Sequence, residues 1–151
     1  MQPSVLIVED ERKIRDLLRS YLEHDGLAVL STWSGAEAIT LARDAAPDLL
    51  VLDLGLPDVT GQDVVREVRL FSTLPILILT ARDDTRERIN CLELGADDYV
   101  TKPFSPREVA LRVRAILRRL RPDADVEQIT SYGNGELVLD ESRRLATVRG
   151  Q

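Results

Sequence analysis

Short runs of apolar residues alternate with longer amphipathic segments over the first 120 residues of the chain. The apolar runs predict five strands at residues 4–8, 27–31, 49–54, 75–80 and 98–101. Consecutive Val, Ile and Leu residues are typical of parallel strands that are covered on both faces. The segments between the strands place apolar residues three and four apart, which predicts helices at residues 12–24, 35–46, 61–71, 84–94 and 105–120.

Five strand–helix units in a row indicate an α/β fold with a doubly wound parallel sheet and right-handed crossovers. For five strands, the flavodoxin-like order 2-1-3-4-5 is the expected arrangement. In such sheets, ligands bind at the carboxyl ends of the strands, beside the point where the strand order reverses. We therefore expect residues 1–121 to form one domain with a site at that edge.

The composition changes after residue 121. Residues 122–130 contain acidic residues and a proline but no basic residue, which indicates a linker. Two short alternating runs, at residues 136–140 and 144–149, predict a β-hairpin within residues 131–151. An isolated hairpin is marginally stable in water, so we expect this segment to be part of a larger unit and not a domain.

Composition narrows the class of protein. The 151 residues carry a formal charge of -6, which argues against a nucleic-acid binder because phosphate contacts need a basic surface. No apolar run approaches the length that spans a membrane, and no signal peptide precedes the first strand. The single cysteine, Cys91, excludes an internal disulfide and fits a reducing compartment. We therefore expect a cytoplasmic protein without a membrane segment.

Polar residues follow the predicted strands at the carboxyl edge of the sheet. Glu9 and Asp10 follow the first strand, Asp53 lies at the end of the third, Thr80 closes the fourth and Lys102 follows the fifth. Asp53 is the most informative, because it interrupts a run that is otherwise apolar. Five polar groups from separate parts of the sequence are thus expected at one edge.

These residue types favour one kind of chemistry. Three neighbouring carboxylates repel each other unless a cation or a proton offsets the repulsion. All-oxygen ligation points to a hard cation, and Mg²⁺ is favoured over Ca²⁺ because it accepts few carboxylates together with waters and a phosphate. Lys102 and Thr80 can neutralise a phosphoryl group in transfer, and an aspartate such as Asp53 is a known nucleophile for it.

Each residue also has an ordinary structural alternative. Asp10 could cap the first helix, and Asp53 could begin the turn that contains Pro57. Thr80 could cap the next helix, and Lys102 could be a solvated loop lysine. Their joint placement at one edge favours the functional interpretation.

The motifs at this edge resemble the response regulator receiver family over residues 4 to about 120. The motifs are Val8-Glu9-Asp10-Glu11, Asp53-Leu54-Gly55-Leu56-Pro57 with Gly61, Thr80-Ala81, Gly95-Ala96-Asp97-Asp98-Tyr99 and Lys102-Pro103-Phe104. The resemblance implies a protein that accepts a phosphoryl group from a sensor histidine kinase. It implies no enzyme activity beyond self-catalysed phosphoryl acceptance and dephosphorylation.

The same resemblance assigns roles to individual residues. Asp53 is implied to be the phosphoacceptor. Asp10, Asp53 and the backbone carbonyl of Gly55 are implied ligands of Mg²⁺, with Glu9 acting directly or through a water. Further implied residues are Thr80 and Lys102 as phosphoryl-oxygen ligands, Tyr99 with Thr80 as the switch, and Pro103 after a cis peptide bond.

The tail carries a second, looser resemblance. A receiver followed by an acidic linker, residues 135–140, Arg143-Arg144 and Gly150 is similar to the winged-helix (OmpR/PhoB-type) transcription regulators. No recognition helix or wing follows, so the sequence looks truncated, and we expect DNA binding only through a complete effector domain. The resemblance also implies a homodimer, formed on phosphorylation through the fourth helix, fifth strand and fifth helix.

Residues of that dimer face can be named from the sequence. Ile89, Leu92 and Ala110 are expected to form its apolar centre. The surrounding charges are Arg88, Glu93, Asp97, Asp98, Glu108, Arg112 and Arg119. By resemblance, we expect Arg88 to pair with Glu108, Asp98 with Arg112, and Asp97 with Arg119 across the two-fold axis.

Rival functions fit less well. Aspartate-nucleophile phosphohydrolases carry a second aspartate two residues after the first, where this chain has Gly55. A flavin site would need a phosphate-binding loop after the first strand, where Glu9, Asp10 and Glu11 would repel the phosphate. A stand-alone receiver that signals by protein contacts alone is the remaining alternative.

Overall fold

The computed structural model describes residues 2–81 and 83–120. The predicted linker and hairpin, at residues 122–151, lie outside the described residues. One compact unit comprises residues 1–114, and residues 115–119 complete the last helix. In the described ranges, no helix is both long and apolar enough to cross a membrane.

The strands and helices alternate as predicted, and every boundary agrees with the sequence-based one within two residues. The strands are β1 Ser4–Val8, β2 Ala28–Thr32, β3 Leu49–Asp53, β4 Ile76–Ala81 and β5 Asp98–Lys102. The helices are α1 Arg12–His24, α2 Gly35–Asp44, α3 Gly61–Arg69, α4 Thr85–Glu93 and α5 Pro106–Arg119.

The five strands form one parallel sheet in the order β2-β1-β3-β4-β5. The predicted α/β fold with flavodoxin-like strand order is therefore confirmed. Strand β3 at the centre is buried over its whole length, which explains its unbroken apolar run. One core layer packs strand residues such as Leu6, Leu50 and Ile78 against helices α2, α3 and α4.

Local sequence signals determine where α5 begins. The Glu108 amide donates a 3.0 Å hydrogen bond to Ser105 Oγ, and Pro106 is the first helical residue. A serine cap followed by proline satisfies a free amide and fixes the first backbone angle. Because α5 starts there, Lys102 remains at the end of β5, facing the carboxyl edge of the sheet.

Candidate functional site

The parallel register brings four strand ends to one edge. Asp53 pairs with Leu79 across β3 and β4, and Ala81 pairs with Lys102 across β4 and β5. Glu9, Asp53 and Thr80 are almost completely buried, although each carries a polar side chain. Buried polar groups are costly unless they have partners, so the partners of these side chains indicate what the site can do.

Three carboxylates form a cluster. Glu9, Asp10 and Asp53 each place one oxygen within 4.8 Å of the others, and Asp10 is the exposed member. Glu9 Oε2 accepts a 3.0 Å hydrogen bond from the Glu11 amide. In the described structure, Glu9 Oε1 is buried and has no hydrogen-bond partner. A positive charge can compensate such an oxygen, and the Lys102 ammonium group lies 3.5 Å from it.

Lys102 is the positive charge of the site. Its Nζ atom lies 3.2 Å from Asp53 Oδ1 and 3.5 Å from Glu9 Oε1. The side chain is 29% exposed, so the ammonium group is screened only in part. Burial opposes its charged form, but the two carboxylates outweigh burial and raise the pKa of Lys102. Lys102 therefore remains charged over the physiological pH range.

At Glu9, burial outweighs the groups that stabilise the charged form of the carboxylate. Burial raises the pKa of Glu9 to about 7, and the charge of Asp53 adds to that rise. The Glu11 amide and Lys102 act in the other direction but do not cancel it. Three carboxylates and one lysine thus leave an excess of negative charge at the site, which favours either a proton on Glu9 or a bound cation.

The donor set fits Mg²⁺. Carboxylate and carbonyl oxygens are the ligands that this hard cation prefers, and it usually binds through only a few protein groups. Glu9, Asp10 and Asp53 supply such oxygens, while no Cys or His belongs to the cluster found among the described residues. The three carboxylates could therefore hold Mg²⁺.

Several of the ordinary structural alternatives are wrong. Helix α1 has Glu11, not Asp10, as its N-cap, and no side chain makes a cap hydrogen bond there. Thr80 lies inside β4, whereas Asp84 precedes α4 as its N-cap. Lys102 is paired with carboxylates and is not a solvated loop lysine.

Thr80 and Asp53 are each engaged locally. The Thr80 hydroxyl donates a 3.3 Å hydrogen bond to the Ala81 carbonyl oxygen. Asp53 Oδ1 accepts a 3.1 Å hydrogen bond from the Gly55 amide, so the turn interpretation of Asp53 is compatible with its place in the site. A Cβ atom on Gly55 would lie 3.8 Å from that oxygen, with no other described residue closer. The space beside the carboxylate is therefore open.

The β3–α3 loop is anchored to the start of α2. Asp58 accepts hydrogen bonds from the amides of Gly35, at 2.9 Å, and Ala36, at 3.1 Å, and from Ser34 Oγ at 2.8 Å. The Gly35 hydrogen bond is the largest cause that lowers the pKa of Asp58 to about 2. A carboxylate at a helix N-terminus is stabilised by the free amides and the helix dipole. The anchor restrains the loop that follows Asp53.

The predicted switch residue points outward. Tyr99 is 36% exposed, and the guanidinium carbon of Arg88 lies 4.6 Å from its ring centroid. The peptide bond between Lys102 and Pro103 is cis. The partly exposed ring of Tyr99 lies against Arg88 of α4.

The predicted dimer face is only partly as expected. Ile89 is 47% exposed, but Leu92 packs against the core and Ala110 is buried. The apolar centre offered by the three residues is thus smaller than predicted, because Ala110 faces the interior of the domain. The charged residues Arg88, Glu93, Asp98, Glu108 and Arg112 lie on α4, β5 and α5, and Asp97 directly precedes β5.

Two acids of this face have partners in their own chain. Asp98 Oδ2 accepts a 2.9 Å hydrogen bond from Arg112 Nη1. Asp97 Oδ2 accepts one of 2.8 Å from the Ile76 amide and lies 3.5 Å from Arg69 Nη2. Asp97 therefore also fixes the start of β4. Arg119, its predicted partner, lies beyond the compact unit of residues 1–114.

An apolar groove of about 430 Å³ adjoins the site. One wall of the groove is formed by Leu17 and its neighbours on α1, and the other by the segment that follows β5. Its lining residues are Ile14, Leu17, Leu18, Ala81, Lys102, Pro103, Phe104 and Pro106. Lys102 belongs to both the groove and the carboxylate site, so a partner in the groove would approach Asp53.

Two supporting residues were not predicted from the sequence. Asp58 and Arg69 both act through contacts with distant backbone groups, the former with α2 and the latter with the Gly95 carbonyl oxygen at 2.7 Å. Neither contact has a local sequence signal, since the partners are 23 and 26 residues away. A free helix N-terminus at Gly35 was the only available hint that an acid might be needed nearby.

Comparisons with known proteins agree with this geometry. The chain is 42% identical over 149 residues to the transcriptional regulatory protein BaeR of Escherichia coli O6:H1, which covers 99% of this chain and 61% of BaeR. It is 48% identical over 120 residues to the alkaline phosphatase synthesis transcriptional regulatory protein PhoP of Bacillus subtilis, covering 79% of this chain and 50% of PhoP. These relatives are regulators of the OmpR/PhoB type.

A solved structure extends the comparison to the fold. The receiver domain of the TMAO respiratory system response regulator TorR superposes with a TM-score of 0.73 at 42% identity, covering 78% of this chain and 98% of that domain. The chain spans about half to two thirds of the length of the curated relatives. Residues 5–114 match the model of the response regulator receiver domain. The chain therefore belongs to the response regulator receiver family, and its relatives are two-component transcription regulators.

Proposed function

We propose that this protein accepts a phosphoryl group on Asp53 from the phosphohistidine of a sensor histidine kinase and thereby switches the activity of a transcription regulator. The supporting observation is the position of Asp53. Its carboxylate is buried, lies 3.2 Å from the Lys102 ammonium group, and belongs to a three-carboxylate cluster at the carboxyl edge of the sheet.

The transfer is a substitution at phosphorus. An Asp53 carboxylate oxygen forms the new O–P bond as the P–N bond to the kinase histidine breaks, and the electron pair returns to the imidazole nitrogen. Mg²⁺, held by Asp10, Asp53 and the Gly55 carbonyl with Glu9 direct or through a water, would supply positive charge to the phosphoryl oxygens. In dephosphorylation, water attacks phosphorus, and Asp53 leaves as a carboxylate with inorganic phosphate as the other product.

The chain's own residues contribute charge and orientation. Lys102 already lies beside Asp53, so it can move from the carboxylate to a phosphoryl oxygen over a short distance. Thr80 can exchange its hydrogen bond with the Ala81 carbonyl for one with the phosphoryl group. Both interactions are stronger with the phosphorylated state than with the free carboxylate, which is the condition for a switch.

The switch then reaches the dimer face. Phosphorylation adds about -1.5 to -2 charge at the site. Movement of Thr80 towards that charge makes room for Tyr99 to turn inward, which gives two alternative arrangements of one element. We propose that the inward state forms a symmetric dimer through α4, β5 and α5, and that a complete winged-helix effector domain then binds DNA.

The apolar groove beside Asp53 supports a kinase as the phosphodonor partner. Its wall is formed by Leu17 and other apolar residues of α1, and Lys102 lies at its inner end. A helical partner that presents apolar side chains beside a phosphohistidine would fill the groove and place phosphorus near Asp53. We propose that the kinase docks there. A cytoplasmic location suits such a partner and the single reduced cysteine.

The alternative is a receiver that signals by protein contacts without DNA binding. The named relatives favour the transcription regulator, since both BaeR and PhoP are described as transcriptional regulatory proteins. The net charge of -6 is compatible with either function, because DNA binding is assigned to the effector domain alone.

The dependence of phosphorylation on the carboxylate cluster tests the proposed function. Initial rates with acetyl phosphate are measured over a range of Mg²⁺ concentrations for the parent and for Asp10→Asn. We expect no phosphorylation with a chelator and a higher half-saturating Mg²⁺ concentration for Asp10→Asn, with Asp16→Asn on α1 as the charge-matched control. Equal Mg²⁺ dependence in all three proteins would contradict the proposed site.

A further inference from the structure

Arg88 has an unusual position among the charged residues of the predicted dimer face. Its guanidinium group covers the ring of Tyr99, with 4.6 Å between the guanidinium carbon and the ring centroid. Within the described part of the chain, Arg88 forms no salt bridge. A cation over an aromatic face is attracted by the ring quadrupole, so the contact stabilises the outward position of Tyr99.

The register connects this contact to the phosphorylation site. Ile78 pairs with Tyr99, and Thr80 pairs with Thr101, across β4 and β5. Side chains two residues apart lie on the same face of a sheet, so Tyr99 and Thr80 share one face. Ile78 on that face packs in the core layer that includes Cys91 of α4, which is the helix that carries Arg88. Thr80 and Tyr99 therefore lie on the sheet face that packs against α4, the helix whose Arg88 covers the Tyr99 ring.

We propose that Arg88 is an autoinhibitory latch: in the unphosphorylated chain it holds Tyr99 outward, and when Tyr99 turns inward it is released to pair with a carboxylate of a second copy of this chain. This inference rests on the proposed function. It assigns Arg88 two partners that exclude each other, the Tyr99 ring in the monomer and Glu108 of the other copy in the dimer. The inward turn of Tyr99 thus breaks the contact between Arg88 and the ring and frees the guanidinium group for the dimer.

The two roles predict opposite effects of one substitution. Removal of the guanidinium group weakens the outward state, which raises the population of the inward state before phosphorylation. A small phosphodonor that reacts through the inward state should then phosphorylate Asp53 faster. The same substitution removes one charge pair, present twice in a symmetric dimer, so dimerisation should weaken. Substitution of a residue that only supports the fold would impair both phosphorylation and dimerisation.

The experiment compares Arg88→Gln with Arg88→Lys and with Arg86→Gln, which makes the same charge change at an exposed residue on α4. Each protein is labelled with fluorotyrosine, and the ¹⁹F signal of Tyr99 is recorded without phosphodonor. Initial rates with acetyl phosphate and Mg²⁺, and sedimentation with beryllofluoride, are then measured. An exposed cation–π contact implies an effect of about two- to fivefold on the resting equilibrium.

The latch predicts that Arg88→Gln shifts the Tyr99 signal towards its beryllofluoride-bound position, speeds phosphorylation about two- to fivefold and weakens the dimer. Arg88→Lys and Arg86→Gln should resemble the parent in the first two measurements. An unchanged Tyr99 signal in Arg88→Gln, or a rate equal to that of Arg86→Gln, would overturn the latch. Loss of the proposed function has a different signature, since no protein in the set would then be phosphorylated.

Discussion

Arg112 Nη1 donates a 2.9 Å hydrogen bond to Asp98 Oδ2 of the same chain and so links α5 to β5. Arg112 Nε also lies 3.6 Å from Glu108 Oε2 one helical turn away. The side chains of Arg112 and Asp98 are 42% and 25% exposed, so a second copy of the chain can reach both. A dimer that uses these residues must therefore share or exchange contacts that already exist in the monomer.

Charge reversal tests this face. Arg112→Glu or Asp98→Arg alone should weaken the dimer formed with beryllofluoride, while the double reversal should partly restore it. Each exposed pair contributes only about 0–1 kcal/mol, but every pair occurs twice in a symmetric dimer. Sedimentation velocity over a range of concentrations measures the dimer affinity. If both single variants dimerise like the parent, this face is not the interface.

We expect Gly55 to control the access of water to the proposed acyl phosphate on Asp53. Among the described residues, a Cβ atom at this position meets only the Asp53 carboxylate, at 3.8 Å and 4.0 Å, so a larger side chain has room to cover the acyl phosphate. Gly55→Met should therefore lengthen the half-life of the phosphorylated protein. Decay is followed by intact mass after removal of the phosphodonor. Equal half-lives for the parent and the variant would show that access at Gly55 does not limit hydrolysis.

Lys102 should matter more for signalling than for folding. Its side chain contacts Asp53 and Glu9 at the edge of the sheet and contributes little to the core. In Mg²⁺, Lys102→Ala should unfold close to the parent, whereas Leu52→Ala in the core should lose about 2–5 kcal/mol. Lys102→Ala should nevertheless fail to dimerise with beryllofluoride. Normal dimerisation of Lys102→Ala with beryllofluoride would show that Lys102 is not part of the switch.

The lowered pKa of Asp58 predicts that the stability of the fold depends on pH. Its pKa falls from 3.8 to about 2 in the folded chain, chiefly because the Gly35 amide donates a hydrogen bond to the carboxylate. A lowered folded-state pKa stabilises the fold above pH 3.8, and this stabilisation is lost as the pH falls towards 2.

Asp58→Asn isolates that contribution. The variant should be less stable than the parent at neutral pH, and the difference should shrink as the pH falls from about 4 to 2. Denaturant unfolding at several pH values measures the free energy, and Asp44→Asn on α2 is an exposed control. A difference that does not depend on pH over that range would mean that the anchor does not require the charge of Asp58.

The fold was predictable because its signals are local and repeated. Apolar runs such as residues 49–52, and caps such as Ser105, are set by neighbours in sequence, and the element boundaries agree closely with the structure. Parallel order then follows from the regular alternation of strands and helices. Asp53, Thr80 and Lys102 were predicted to meet because each lies at the carboxyl end of a strand.

Contacts made at a distance were not predictable in the same way. The Asp58 anchor and the Arg69 contact with Gly95 join loops whose approach depends on the packing of whole helices. The burial of Ala110 depends on how α5 is rotated about its axis, and helical periodicity left neighbouring positions undecided. The contact between Arg88 and the Tyr99 ring depends on the rotamers of both side chains, which the spacing of residues in the sequence does not specify.

Mapping the phosphorylated residue tests the proposed role of Asp53 most directly. The parent and Asp53→Asn are incubated with acetyl phosphate and Mg²⁺, reduced with borohydride to trap the acyl phosphate, and mapped by peptide mass spectrometry. Asp44→Asn is treated identically as an exposed carboxylate control. We expect one reduced residue per chain, at position 53, in the parent and in Asp44→Asn, and none in Asp53→Asn. Equal labelling of Asp53→Asn, or trapping at another carboxylate in the parent, would contradict the proposed role of Asp53.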